Sequence, residues 1–141
     1  MLQVIFEKVS STAILPTKGS SGAACWDIYA DQHFVLSAGI ITHVSTGLKV
    51  KIPPHYMLHI VPRSGLAFKE GIITLAGIID SDYRGEIKIA LSRIPEHRYF
   101  INPGDRVAQL QLHPVPTWEC IEGKVENDTT RGEDGFASTG R

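Results

Sequence analysis

Residues 72–91 read IITLAGIIDSDYRGEIKIAL, and this stretch decides the fold class. β-Branched residues dominate 72–79, an acidic turn interrupts them, and a second apolar run with a period of two follows at 87–91. β-Branched runs bounded by a polar turn are typical of strands. The stretch therefore predicts a β-hairpin with two carboxylates, Asp80 and Asp82, at its tip.

The rest of the chain is cut into similar short pieces by 13 glycines and 8 prolines. Turn signals at short, fairly regular spacing favour an all-β sandwich or barrel without parallel βαβ units. One segment, SGLAFKEG at 64–71, predicts a helix of one or two turns, with Ser64 as N-cap and a glycine at its far end. The strands predicted are 2–6, 28–29, 34–36, 40–44, 48–52, 57–61, 72–79, 87–91 and 107–112.

Composition limits the function classes. With 141 residues, 43% hydrophobic and 21% charged, the chain is expected to fold as one soluble domain. A net charge of -1 argues against non-specific nucleic-acid binding. Two cysteines define no disulfide framework, MLQVIFEKVSS lacks a signal-peptide pattern, and no apolar run reaches the length of a membrane span. A cytoplasmic, intracellular chain with free thiols is the expectation.

The predicted hairpin is a candidate site. Asp80 can handle a proton, Tyr83 can stack on a ring, and Gly77 and Gly85 allow close approach of a ligand to the backbone. The alternative is a solvated turn in which Arg84 balances the charge. The hairpin alone favours that alternative.

The spacing of the histidines and carboxylates along the sequence gives little support to a metal site. His55 and His59 lie four residues apart in a strand-like segment, which separates them by about 13 Å. The cluster of Asp80, Asp82 and Glu86 lacks the ligands that a calcium loop requires at its fifth and twelfth positions. No metal site is predicted from these residues.

Two segments suit an anion. The helix start beside Arg63 and Ser64 exposes N–H groups to a phosphate, or is simply a capped helix. Residues 131–140, RGEDGFASTG, form either a polar tail or a mobile arm that closes over a ligand. No strand–loop–helix context supports a P-loop there. Together with the hairpin, these segments suggest a phosphorylated ligand with a flat ring.

Five segments, in order and at compatible spacing, resemble the motifs of the trimeric deoxyuridine triphosphatase (dUTPase) family. They are GAACWDIYA at 22–30, PRSGLAFK at 62–69, AGIIDSDYRGE at 76–86, GDRVAQLQL at 104–112 and RGEDGFASTG at 131–140. The resemblance covers nearly the whole chain. It implies a distorted jelly-roll or β-clip barrel with one short helix, assembled as a homotrimer with exchanged C-terminal arms. The implied domains are a β domain at 1–126 and a flexible arm at 127–141 that closes over the active site.

The implied reaction is Mg²⁺-dependent hydrolysis of dUTP to dUMP and pyrophosphate by water attack on the α-phosphate. It would keep uracil out of DNA and supply dUMP for dTMP synthesis. The implied partners are dUTP and two further copies of the chain, with no nucleic acid and no membrane. No direct protein ligand for magnesium is implied: the triphosphate and waters hold it, and Asp27 supports the hydration shell from outside.

The resemblance also implies residue roles. Asp80 would position and activate the water, as a carboxylate within hydrogen-bond reach can. Ser64 would donate to the leaving pyrophosphate, and Gln109 would orient the water. Tyr83 would pack under the deoxyribose and exclude a 2′-hydroxyl. The other implied contacts are uracil reading by the backbone of Gly77, Ile78, Ile79 and Lys88, phosphate binding by Arg63, Gly65 and Arg131, stacking on uracil by Phe136, and arm closure by Ala137, Ser138 and Thr139.

Three positions depart from the family's usual pattern: Cys25, Trp26 and Ala137. Cys25 stands where the family has a glycine, and a side chain would fit poorly there if the backbone φ is positive.

Two rival classes match less well. The related dCTP deaminases are longer and need an acid/base group near the ring, for which this chain shows no extra domain or candidate Glu. A non-catalytic regulatory module should lose Asp80 or the arm, and this chain keeps both.

Overall fold

The computed structural model describes residues 1–136, and most of their regular structure is β. This is the predicted all-β architecture with one short helix. That helix has seven residues, far below the ~20 that a membrane crossing needs. The strands are Ile5–Lys8 (β1), Trp26–Tyr29 (β2), Phe34–Leu36 (β3), Thr42–Lys51 (β4), Tyr56–Val61 (β5), Ile72–Leu75 (β6), Ile78–Ile79 (β7), Glu86–Arg93 (β8), Tyr99–Ile101 (β9) and Arg106–Pro114 (β10), and the helix is Ser64–Glu70 (α1).

The strands form two four-stranded sheets and a two-stranded ribbon. Sheet A has the order β1-β4-β8-β6, sheet B has the order β2-β10-β5-β7, and β3 pairs with β9. All pairings between these strands are antiparallel, as the absence of βαβ patterns predicts. Alternate residues of β8 face the core, where Ile87, Ile89 and Leu91 are at most 1% exposed. Apolar burial of this kind is the main force that holds the two sheets together.

The predicted strand 72–79 is two strands in different sheets. β6 pairs with β8 in sheet A, whereas β7 pairs with β5 in sheet B. The chain turns between them because Ala76 and Gly77 have positive φ angles of 59° and 126°. The prediction of one continuous strand is therefore wrong, and the crossover places Asp80 at the edge of sheet B.

The predicted strands 40–44 and 48–52 are in fact one long strand, β4. An irregularity around Gly47, which has a φ of 64°, shifts the register between β4 and β8 without ending the strand. The Gly47 N–H donates to Glu86 at 3.0 Å, and its carbonyl accepts from Val9 at 2.8 Å, so the bulge is hydrogen-bonded on both sides. The sequence interpretation also missed β9, which has only three residues.

α1 follows β5 after a short turn and begins at Ser64. The N-cap is Arg63, with extended backbone and no side-chain hydrogen bond, so the prediction of Ser64 as the N-cap is wrong. The predicted glycine at the far end is confirmed. Gly71 has a φ of 60° and its N–H donates to the carbonyls of Ala67 and Leu66, the arrangement that commonly ends helices.

Candidate functional site

A cavity of about 230 Å³ lies where the chain crosses between the two sheets, and we call it the hairpin pocket. It brings together the residues that the sequence predicts for base and sugar recognition. The backbone and side chains of residues 75–80 form one wall, and β8 forms the other. Its lining includes Gly77, Ile78, Ile79, Asp80, Tyr83 and Lys88.

Gly77 gives the hairpin pocket a fixed backbone edge. Its carbonyl accepts a hydrogen bond from the Ile60 N–H at 2.7 Å. A Cβ atom at position 77 would lie 2.8 Å from the Ile60 carbonyl oxygen, and the φ of 126° is one that other residues rarely adopt. Glycine is therefore required for this close approach of β7 to β5. The Gly77 oxygen retains a second lone pair for a ligand.

Tyr83 forms a rigid aromatic wall beside Asp80. The Tyr83 N–H donates to the Asp80 carbonyl at 3.2 Å, which closes the turn. The phenol donates to the Glu86 carbonyl at 2.9 Å, and a Cβ at Gly85 would overlap the phenol. The side chain is thus held at both ends while 44% of the residue's surface stays open to a ligand.

Neighbouring charges do not play the parts that the sequence suggested. Arg84 donates to the carbonyls of Ser81 and Tyr83, at 2.8 Å each, and so braces the turn backbone instead of pairing with its carboxylates. Glu86, which the sequence marks only as part of an acidic cluster, accepts the N–H of Gly47 at 3.0 Å. The sequence carries no local signal for this contact, since the two residues are 39 positions apart.

A second cavity, of about 210 Å³, lies at the start of α1, and we call it the Arg63 pocket. It brings together five residues that the sequence predicts for phosphate binding, support of magnesium and orientation of the water: Asp27, Arg63, Ser64, Gly65 and Gln109. Ser64 and Gly65 are the first two residues of the helix, so their N–H groups have no helical partner. N–H groups of this kind, beside a guanidinium, suit a phosphate.

Asp27 binds two guanidinium groups at the Arg63 pocket. Its Oδ1 accepts from Arg63 Nε at 3.0 Å, and its Oδ2 lies 3.5 Å from Arg106 Nη1. Arg63 also donates to the Arg106 carbonyl at 3.3 Å. Arg106 is a residue that the sequence reasoning missed, although it lies within the segment GDRVAQLQL. The network fixes Arg63 with one face of its guanidinium turned to the protein.

Gln109 and Cys25 complete the Arg63 pocket. Gln109 pairs across the sheet with Val61 and Asp27, and its amide donates to the Pro62 carbonyl at 3.4 Å. Cys25 is not among the residues with positive φ. The backbone strain expected for a side chain at this position is therefore absent.

The two pockets lie at opposite ends of β5 and share no lining residue. Ile79 pairs with Leu58, so Asp80 stands level with Met57. Arg63 follows six residues later, and a strand rises by about 3.3 Å per residue, so about 20 Å separates the two positions. The structure does not bring Asp80 together with Ser64 and Gln109 within one chain.

The C-terminal segment is described as far as Phe136. Residues 115–136 contain no strand or helix and are almost entirely exposed. Arg131 Nε donates to the Asp134 carbonyl at 2.8 Å within a local turn, and neither Arg131 nor Phe136 lines either pocket. Ala137, Ser138 and Thr139, which the sequence predicts for arm closure, lie outside the described residues.

Comparison with known proteins identifies the family. The sequence model of dUTPase matches residues 11–140. The chain is 44% identical over 140 residues to the deoxyuridine 5′-triphosphate nucleotidohydrolase of Paramecium bursaria Chlorella virus 1, covering 99% of both chains. It is 42% identical over 132 residues to that of Saccharomyces cerevisiae, covering 93% of this chain and 90% of the yeast protein.

Solved dUTPase structures share the fold. A mutant dUTPase of Staphylococcus bacteriophage 80alpha with dUpNHpp superposes with a TM-score of 0.88 at 24% identity, over 99% of both chains. A mutant dUTPase of S. aureus phage phi11, described with a structural Mg(II) ion, gives a TM-score of 0.78 at 22% identity, over 92% of this chain and 99% of that one. The family match spans nearly the whole sequence and close relatives share the enzyme name, so this chain belongs to the dUTPase family and hydrolyses dUTP to dUMP.

Proposed function

We propose that this chain hydrolyses dUTP by water attack on the α-phosphate, with magnesium on the triphosphate, at active sites shared between the copies of a homotrimer. The reaction keeps uracil out of DNA and supplies dUMP for dTMP synthesis. The observation that carries the proposal is the separation of Asp80 from the Arg63 pocket. The cytoplasm is the proposed location, since the two cysteines are free thiols.

The proposal that active sites are shared between copies follows from the distance between Asp80 and the Arg63 pocket. A carboxylate must lie within hydrogen-bond reach of the water that it activates. Asp80 cannot direct water at an α-phosphate whose β- and γ-phosphates are held about 20 Å away in the same chain. The hairpin pocket of one copy must therefore meet the Arg63 pocket of another. Such contacts join two different faces, so they are head-to-tail and close into a ring, for which we propose three copies.

The hairpin pocket takes the deoxyuridine. Backbone groups of residues 77–79 and of Lys88 read the uracil edge, on which hydrogen-bond donors and acceptors alternate. A cytosine amino group would face an unsatisfied partner, and a 5-methyl group would find no room. Tyr83 is braced by Gly85 and Glu86, so its ring cannot move aside for a 2′-hydroxyl.

The Arg63 pocket takes the phosphates. Arg63 and the first N–H groups of α1 hold the β- and γ-phosphates, and the Ser64 hydroxyl donates to the oxygen on which charge develops as pyrophosphate leaves. Asp27 and Arg106 fix the orientation of Arg63 before substrate arrives. Preorganised donors of this kind act mainly on the transition state.

Asp80 and Gln109 act on the attacking water. The Asp80 carboxylate is exposed directly after β7, so it is free to accept a proton from water when the second copy presents the α-phosphate. The Gln109 amide, oriented by the Pro62 carbonyl, holds the water in line with the leaving group.

The residues around the Arg63 pocket fit a magnesium ion that is bound by the phosphates of the substrate and not directly by protein side chains. Within residues 1–136, no three His, Cys, Asp or Glu side chains converge as a metal site. Asp27 already accepts from two guanidinium groups, so it can reach the ion only through the ion's waters. Bound to the triphosphate, magnesium neutralises phosphate charge. The chain's own contribution is to position that complex.

An apolar groove on the protein matches the segment that leads to the proposed exchanged arm. A cavity of about 530 Å³ with a mainly apolar lining lies between the N-terminus and sheet B. Residues 115–126 expose apolar side chains at Val115, Trp118, Ile121 and Val125, which a solvated tail does not need. We propose that this segment of one copy fills the groove of a neighbour. It carries the arm, 127–141, to a neighbouring site, where Arg131 grips the γ-phosphate and Phe136 stacks on uracil.

A nucleotide panel tests this function. The purified protein is incubated with dUTP, dTTP, dCTP and UTP, each in magnesium and in EDTA, and released pyrophosphate is measured. We expect rapid release from dUTP alone and a rate at least about tenfold lower in EDTA. Equal cleavage of dTTP, dCTP or UTP would refute the specificity. An unchanged rate in EDTA would refute the magnesium requirement.

A further inference from the structure

We propose that Arg93 is a positioning residue for the phosphate-binding turn, residues 63–65. It fixes the far end of α1 and thereby sets where that turn stands in the Arg63 pocket. The inference rests on the proposed function, because it takes this turn to hold the β- and γ-phosphates. Arg93 lies outside both pockets and outside all five motif segments.

α1 needs an anchor outside itself. None of its seven residues is fully buried, and its N-cap, Arg63, makes no side-chain capping bond. Leu66 is the one helix residue that packs in part against the core. Short helices are marginal in water unless tertiary contacts hold them. Asp27 and Arg106 hold the Arg63 side chain at the N-terminal end, so the orientation of the helix axis depends on the contacts at the C-terminal end.

Arg93 supplies those contacts. Its Nη2 lies 3.4 Å from Oε2 of Glu70, the last residue of α1. The same nitrogen contacts His97 Nε2 on the loop after β8. A guanidinium has no acceptor, so Nη2 donates and the ring nitrogen accepts. The Ile94 N–H also donates to the Gly71 carbonyl at 3.0 Å, so the helix end is tied to β8 through both side chain and backbone.

The stability of the fold alone does not explain why a charged guanidinium, and not an apolar side chain, occupies position 93. Arg93 is 2% exposed, and neither its Nε nor its Nη1 has a hydrogen-bond partner among residues 1–136. The Tyr99 ring, 5.4 Å from the guanidinium carbon, offsets part of the lost hydration. The Glu70 side chain is 36% exposed, so an apolar residue at position 93 would leave no buried charge unpaired and should cost little stability. An apolar side chain would not supply the directional tie to Glu70.

The contact between Arg93 and Glu70 affects the binding of one part of the substrate, the β- and γ-phosphates. α1 is about 10 Å long, so a shift at Glu70 is carried directly to Ser64 and Gly65. No residue of α1 lines the hairpin pocket, and the β8 residues that line it, within 86–90, precede Arg93 in the strand. Loosening the tie should therefore weaken binding of the β- and γ-phosphates and leave recognition of uracil, sugar and α-phosphate unchanged.

The test compares two ligands on matched variants. Calorimetry in magnesium gives the Kd for dUpNHpp and for dUMP, which lacks the β- and γ-phosphates, and urea titration gives stability. The variants are Arg93→Met, Glu70→Gln and, as a control, Arg98→Met on the exposed part of the same loop. We expect the first two to raise the Kd for dUpNHpp about tenfold and the Kd for dUMP less than about twofold. Arg93→Met should unfold at an unchanged or higher urea concentration, and Arg98→Met should match the parent.

Equal losses for both ligands, or no loss for either, would overturn the proposal. Glu70→Gln changes a partly exposed helix end, so it decides the question even where Arg93→Met fails to fold. Ser64→Ala separates this inference from the proposed function. If Ser64→Ala leaves dUpNHpp binding unchanged, the assignment of the phosphate turn has failed. If it weakens dUpNHpp while Arg93→Met and Glu70→Gln do not, only the role of Arg93 has failed.

Discussion

Asp27 holds two guanidinium groups at the Arg63 pocket, and we propose that it serves the reaction in this way without touching the reacting atoms. The family resemblance suggests a supporting role for it near magnesium, and the structure shows both its oxygens on guanidinium groups. Its side chain is 13% exposed and that of Arg63 is 27% exposed, so this ion pair is better shielded from solvent than a surface pair. The pairing could not be predicted from the sequence because Asp27 and Arg63 are 36 residues apart. The segments GAACWDIYA and PRSGLAFK do, however, mark both partners.

Tyr99 offers a prediction about pH at the same scale. Burial raises the pKa of the Tyr99 phenol, and the carboxylates of Glu70 and Asp105 raise it further, against the opposing effect of Arg93 and Arg63. The folded chain therefore keeps this proton at a pH where the unfolded chain, with a tyrosine pKa near 10, loses it. That contribution to stability is complete below about pH 10 and is lost as the pH rises through the folded-state pKa.

Tyr99→Phe should accordingly lose less unfolding free energy than the parent between about pH 9 and pH 11. Urea titrations at the two pH values measure the difference. Identical slopes for the parent and Tyr99→Phe would contradict the assignment.

Among the elements, β8 was predictable and the crossover before it was not. The alternation of Ile87, Ile89 and Leu91 indicates a strand with one buried face, and all three are at most 1% exposed. The break at Ala76 has no comparable signal, because alanine rarely adopts its φ of 59°. Gly77 alone does not mark a change of sheet. Tertiary packing against β5 imposes that change.

The crossover yields a prediction for Gly77→Ala. A Cβ there would lie 2.8 Å from a backbone oxygen of β5 at a strained φ, so we expect a loss of about 2–3 kcal/mol in unfolding free energy. Urea titration at one protein concentration measures it. Gly22→Ala, whose Cβ would meet no atom within 4 Å, is the control and should change stability by less than about 0.5 kcal/mol. Equal stability of the two variants would show that the crossover does not require glycine.

At the scale of the whole molecule, the sequence predicts which residues form the site but not how they are divided between the two pockets. Five ordered segments mark Asp80, Ser64 and Gln109 without giving any distance between them. The strand register supplies that distance, because Ile79 pairs with Leu58 while Gln109 pairs with Val61. One chain therefore carries Asp80 and Ser64 in two separate places, and we propose that neighbouring copies combine them.

Complementation between two inactive variants tests whether the active sites are shared between copies of the chain. Asp80→Asn and Ser64→Ala are produced together with different affinity tags, and assemblies that carry both tags are purified. Each variant alone should lose dUTP turnover by about 100-fold or more. In a head-to-tail ring of three, every mixed assembly contains one site with Asp80 and Ser64 both intact, so about one third of the parent rate should return.

A matched control pairs Asp80→Asn with the double variant Asp80→Asn/Ser64→Ala, in which no site can hold an intact Asp80. This mixture should stay inactive. The measurement is the rate of pyrophosphate release from dUTP by each purified mixed assembly. Recovery to about one third of the parent rate in the first mixture alone is the result predicted for shared sites. A first mixture no more active than its two parent variants would show that each site lies within a single chain.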